Sequence, residues 1–196
     1  MAGWTRHTGK VALLAQDNLD TDQLLPARFM STPRSEGYGD RLLYDVRRDE
    51  SGALLPGFPL NRQPNASILV AGRNFGSGSS REAAVYALVD SGIRVVIAAS
   101  FGDIFAANAV NNGLLPATVV EGLAPLGAAG SLTVDLQTCE ISAGALCVRF
   151  TLDEGQRTKL INGWDDIDLT RHHQDEITAF RTARRQSAPW AWPAAG

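Results

Sequence analysis

The chain has 196 residues, 44% of them hydrophobic and 20% charged, with 18 Lys+Arg against 21 Asp+Glu and a net charge of −3. That length suits one sizeable core, and the acidic balance argues against a nucleic-acid surface. No apolar run approaches the roughly 20 residues of a membrane span. The opening MAGWTRHTGK lacks the apolar stretch of a secretory signal, so the expected location is cytoplasmic.

Lys10–Ala15 reads as a short strand, broken by the acidic stretch Asp17–Asp22. From about 27 to 64 the chain is rich in Gly, Pro, Arg and Ser, with one apolar cluster near Leu42–Tyr44. So long a stretch predicts a mobile or functional loop. Ala66–Ala71 is a continuous apolar run, the pattern of a strand buried on both faces. Arg81–Asp90 reads as a helix with Gly92 at the left-handed cap position. Ile93–Ala98 is a second buried strand, Phe101–Asn112 a helix ended by Gly113, and Leu115–Val120 a third strand. This alternation implies parallel pairing through right-handed crossovers.

The pattern then changes. Ser131–Leu136 and Leu146–Phe150 alternate apolar and polar residues, with Gly144 between them, which predicts antiparallel strands with one wet face. Asp153–Ile161 and Thr170–Arg185 read as closing helices, the second with Ile177 and Phe180 on one side. Residues from about 187 to 196 read as a flexible tail. The fold class is α/β: one domain over 1–196, a central, mostly parallel sheet flanked by helices. Cys139 and Cys147 are too few for a disulfide scaffold or for a metal site, which wants three or four ligands. Their spacing predicts two adjoining strands, where a buried Cys is a small apolar residue.

Gly72–Glu82 (GRNFGSGSSRE) lies between a buried strand and a helix. A dinucleotide fingerprint fails, because Gly76-x-Gly78-x-x ends on Arg81 where a third glycine must allow close packing. A P-loop needs a lysine that is absent, and a nucleophile elbow needs a different serine–glycine order. What remains is an anion site: glycines turn backbone N–H groups inward and a helix N-terminus adds positive partial charge. Arg81 can hold a carboxylate with two parallel hydrogen bonds, with Ser79 and Ser80 beside it. Ser79-x-x-Glu82 also fits a helix capping box with Ser79 as N-cap. Asp20-Thr21-Asp22 reads either as an Asx turn or as a carboxylate orienting a group in the glycine-loop site. A non-catalytic anion-binding module stays open at this level.

Asp20–Pro26 (DTDQLLP), Asn74–Glu82 (NFGSGSSRE), Phe101–Phe105 (FGDIF), Asn108 and Asn111–Pro116 (NNGLLP) resemble, in matching order, the aconitase swivel domain. Trp164–Thr170 (WDDIDLT) resembles the C-terminal end of its stand-alone form, the small subunits of 3-isopropylmalate dehydratases. The family pattern usually has His after Ser-Arg-Glu, where this chain has Ala83, and often Cys between the glycines, where it has Ser77.

The resemblance implies the swivel-type β/β/α fold and a hydro-lyase. Its reaction is dehydration and rehydration that interconvert 2-isopropylmalate and 3-isopropylmalate in leucine biosynthesis. The alternative is a sister enzyme for another substituted malate, of citraconate/methylmalate or dimethylmalate type. It implies no cofactor in this chain, a [4Fe–4S] cluster acting as Lewis acid in a larger partner subunit, and activity only in the complex. The implied partners are that subunit and a small hydroxy acid, with no nucleic acid and no membrane. At the matching positions Ser79 is the general base, Ser80 and Arg81 bind a substrate carboxylate, and Asp22 with Thr21 orders the surrounding hydrogen bonds. Arg34 lies in the stretch Arg28–Gly39, which resembles the substrate-selecting loop, and is implied to reach the substrate.

Overall fold

The computed structural model describes residues 2–192. Its spine is a seven-stranded sheet in the order β4-β3-β2-β1-β5-β6-β7. β1 (Arg6–Leu14), β2 (Ala66–Ala71), β3 (Val95–Ala98) and β4 (Leu115–Thr118) pair in parallel. β5 (Ser131–Asp135), β6 (Glu140–Ala143) and β7 (Leu146–Arg149) continue the sheet antiparallel. β1 serves both halves along different stretches. Lys10–Leu14 match β2, and Arg6–Lys10 match β5, with a register irregularity between Lys10 and Val11.

Strands β2 and β3 are buried on both faces, as their unbroken apolar runs predict. Leu69, Ala71, Val96 and Ala98 face one core with Leu88 and Phe105. Ile68, Val70, Val95 and Ile97 face the other, shared with Leu132, Val134, Ile141 and Leu160. The helices are α1 (Thr21–Leu24), α2 (Tyr44–Arg47), α3 (Pro59–Arg62), α4 (Glu82–Asp90), α5 (Asp103–Asn111), α6 (Leu123–Ala128), α7 (Glu154–Asn162), α8 (Asp166–His172) and α9 (Gln174–Ser187).

Four local readings change in the structure. Residues 27–64 hold α2, α3 and three 3₁₀ turns, and they bury Tyr38, Leu42, Leu43 and Leu60; the Leu43 amide donates to the Leu24 carbonyl at 2.9 Å. α6 forms from LAPLGA, a poor helix sequence, because Leu126 is buried and Gly127 sits flush against Leu13. β6 inserts between the two expected antiparallel strands. Cys139 therefore lies in a turn with φ 55°, and Cys147 is exposed on β7 rather than buried.

The long helix expected over Thr170–Arg185 is two helices. Asp165 and Asp168 form a capping box that starts α8, and His173 breaks it. None of the α9 side chains is buried, and Phe180 is 70% exposed. The end of the expected tail, 193–196, lies outside the described residues. α5, α7 and α8 are joined at Lys159, whose ammonium donates to Asn111 Oδ1 at 2.8 Å and Asp166 Oδ1 at 2.6 Å. Asn111 Nδ2 donates in turn to Asp166 Oδ2 at 2.9 Å.

Candidate active site

Parallel strands send all their exit loops to one end of the sheet, where open α/β folds place their ligands. Here the ladders run on past the strands. Asp20 bridges Ser77, and Phe75 bridges Phe101, both in parallel sense. The Gly76 amide donates to Leu19 O at 2.7 Å and the Thr21 amide to Ser77 O at 2.9 Å. Gly76 has φ 71°, and a Cβ on it would stand 2.2 Å from the Phe105 ring. Only glycine fits there. The phenylalanine cluster Phe75, Phe101 and Phe105 thereby forms the floor beneath the loop.

On that floor the glycine loop meets α1. Asp20 caps α1 in a reciprocal capping box with Gln23, so this aspartate is a helix cap in place of the expected Asx turn. Its neighbours reach across. The buried Thr21 hydroxyl donates to Ser79 O at 2.9 Å. The Asp22 carboxylate forms an ion pair with Arg81.

The capping-box reading of Ser79 is overturned. The N-cap of α4 is Arg81, and no side chain caps this helix; Glu82 is its first residue. A 2.7 Å bond from the Arg81 amide to Ser79 O closes the preceding turn, which moves the helix start two residues beyond the expected cap. Among the described residues the Ser79 and Ser80 hydroxyls have no hydrogen-bond partner, and both serines are exposed.

The N-termini of α4 and α5, both without side-chain caps, flank the loop and direct first-turn N–H groups toward that end of the sheet. Gly76, Ser77, Gly78, Ser79 and Gly102–Phe105 line a shallow cleft of about 200 Å³. A larger hollow of about 550 Å³, at the other end of α4, is lined by Arg41, Arg47 and Asp90. Size is a poor guide in this case. The larger hollow mixes charges of both signs, and neither free serine lines it.

Thr21, Asp22, Ser79, Ser80 and Arg81 are thus brought together. Arg34 is not among them. It pairs with Asp90, the last residue of α4, and its guanidinium lies 4.4 Å from the Tyr86 ring centroid. Sequence reasoning missed the contact from Asn112 Nδ2 to Glu82 Oε1 at 2.9 Å, because the two residues lie 30 apart. It also missed the Asn74–Asn18 pair (2.8 Å), both at positive φ. Asparagine's tolerance of left-handed backbone was the one available signal for that pair.

The profile of the aconitase C-terminal domain matches residues 1–122. That span holds β1–β4 and every residue of the loop cluster. The 3-isopropylmalate dehydratase small subunit of Rhodospirillum centenum is 44% identical over 97% of this chain and 99% of its own length. The small subunit of the same name from Streptomyces griseus is 40% identical over 96% and 98%.

The chain belongs to the family of 3-isopropylmalate dehydratase small subunits. The crystal structure of 3-isopropylmalate dehydratase from Methanocaldococcus jannaschii has the same fold, with a TM-score of 0.66 at 26% identity, covering 89% of this chain and 98% of that one. The antiparallel half beyond residue 122 lies outside the profile match yet inside the full-length relatives. Family membership therefore extends past the site to the whole sheet.

Proposed function

We propose that this chain is the small subunit of a 3-isopropylmalate dehydratase, interconverting 2-isopropylmalate and 3-isopropylmalate in leucine biosynthesis, in the cytoplasm. The observation that carries the reading is the pair of unpartnered serine hydroxyls beside an arginine already pointed by a carboxylate. Arg81 with Ser80 binds a substrate carboxylate, and the planar guanidinium fork fits it. Ser79 acts as general base, removing the carbon-bound proton. A serine base needs its alkoxide stabilised, and the uncapped helix termini and glycine-loop N–H groups supply fixed positive dipoles for that. Asp22 keeps Arg81 directed at the site, and Thr21 holds the carbonyl of Ser79. Arg34 acts only after leaving Asp90. The chain works as one swivel unit.

An iron–sulfur cluster does not fit this chain. Its two cysteines occupy a turn and an exposed strand, and among the described residues no three His, Cys, Asp or Glu side chains converge. The reading therefore assigns the cluster to a larger partner subunit. The test is reconstitution. The chain alone is expected to be iron-free and inactive, and the chain with its cluster-bearing partner is expected to turn over isopropylmalate ahead of methylmalate and dimethylmalate. Turnover by the isolated chain, or a preference for the smaller malates, overturns the assignment.

A further inference from the structure

The Ser79–Arg81 segment has no cap to fix it, so its geometry must come from tertiary struts. Two belong to α1: Thr21 on Ser79 O and Asp22 on Arg81. The third comes from the opposite side and ends on Glu82. Asn112, directly after α5, places one Nδ2 hydrogen on Glu82 Oε1 at 2.9 Å and the other on Asn108 O at 2.9 Å. Both its donors are used, so the amide cannot rotate without losing a bond. The Tyr86 phenol lies one turn along α4 from the same carboxylate, and burial, with that carboxylate nearby, pushes its pKa up. The Tyr86 ring in turn lies under the Arg34 guanidinium, which Asp90 holds.

We infer that Glu82 is a positioning residue: locked by Asn112, it fixes the first residue of α4 and so the direction in which the adjoining Arg81 and Ser80 face the substrate. This rests on the reading that Arg81 binds the substrate carboxylate. A carboxylate at the first helical position is also favourable against the helix dipole, but that role does not need Asn112. The hydrogen bonds matter here more than the charge.

The experiment uses the full chain reconstituted with its cluster-bearing partner, comparing Glu82→Ala, Glu82→Gln and Asn112→Ala for kcat, KM and the melting temperature of the small subunit. Misplacing a substrate-holding group by about 1 Å can cost roughly 100-fold in rate. Glu82→Ala and Asn112→Ala are therefore expected to lower kcat/KM by about 10- to 100-fold, chiefly through KM. Glu82→Gln is expected to retain most of it, because its amide oxygen still accepts from Asn112. In an Arg81→Lys background, Glu82→Ala is expected to cost nothing further, since coupled residues are non-additive.

Parental kinetics for Glu82→Ala, a Gln variant as impaired as Ala, or full additivity with Arg81→Lys each overturns the inference. If Arg81→Lys is crippled while Glu82→Ala is normal, only the positioning role fails. Parental kinetics for Arg81→Lys itself would remove both the role and the carboxylate clamp beneath it.

Discussion

The two halves of the sheet share β1 but use its opposite ends. Lys10–Leu14 pair with a parallel neighbour and Arg6–Lys10 with an antiparallel one. On the parallel side every loop leaves at the same edge, so residues near 20, 77 and 101 meet and bond. On the antiparallel side successive turns fall at opposite ends, and the polar groups satisfy themselves locally. Asp135 accepts from the amides of Gln137 and Thr138, and Arg149 pairs with Glu140 across one hairpin. The lesson is topological: convergence of distant polar residues comes from parallel connection, so the candidate site collects there.

That division can be broken at several points. The largest effect is expected from Arg81→Lys, which keeps the charge but loses the planar fork. A fall of about 100-fold or more in kcat/KM is expected, with the melting temperature preserved, read by steady-state kinetics of the complex and thermal unfolding of the chain. Near-parental turnover would mean that the cation merely pairs with Asp22.

Lys159→Met probes the stabilising side. It leaves Asn111 Oδ1 without a donor, and an unsatisfied polar group costs about 1–3 kcal/mol. Urea unfolding should show a loss in that range, while kcat of the reconstituted enzyme stays parental. A loss of activity without a loss of stability would blur the two halves.

A smaller, pH-dependent effect sits at His7, at the antiparallel end of β1. Its Nε2 lies 2.8 Å from Ser67 Oγ, and burial, with Arg94 nearby, pulls its pKa below 6.5. A histidine that folds with a lowered pKa binds fewer protons folded than unfolded, so its contribution is complete above about pH 6.5 and is lost as pH falls from there. His7→Gln should flatten the pH dependence of the melting temperature in that window. The smallest effect is expected at Phe180→Ser on α9, where an exposed side chain should change stability by no more than about 0.5 kcal/mol. A larger destabilisation would show that α9 is packed rather than open.

The sequence was most legible where the pattern had a single physical cause. Ala66–Ala71 matches β2 at both ends because a strand buried on both faces leaves no ambiguity. The glycine loop stood out as a candidate site because glycine, serine and arginine each have a separate chemical use in such a turn. The capping box misled because Ser79-x-x-Glu82 satisfies the spacing, while the bond from the Arg81 amide to Ser79 O delays the helix. α6 was invisible because burial of Leu126 overrides its proline and glycine. β6 was missed because EISA is four residues long and only two strands give it partners. Arg34 could be matched by resemblance, but its ion pair with Asp90 is a tertiary fact that no local pattern encodes. The Asn112–Glu82 strut is hidden for the same reason.

The central claim is that the free hydroxyl of Ser79 does chemistry and not capping. Because the hydroxyl has no partner among the described residues and caps nothing, alanine alone separates the two roles: loss of a cap costs about 0.5–2 kcal/mol, whereas loss of a general base costs about 10²–10⁴ in rate. The decisive measurement is kcat of the Ser79→Ala chain reconstituted with its partner, taken alongside its melting temperature. A rate lower by about 10²–10⁴-fold at an unchanged melting temperature is expected; a near-parental rate, whatever the stability, would mean that Ser79 is not the base.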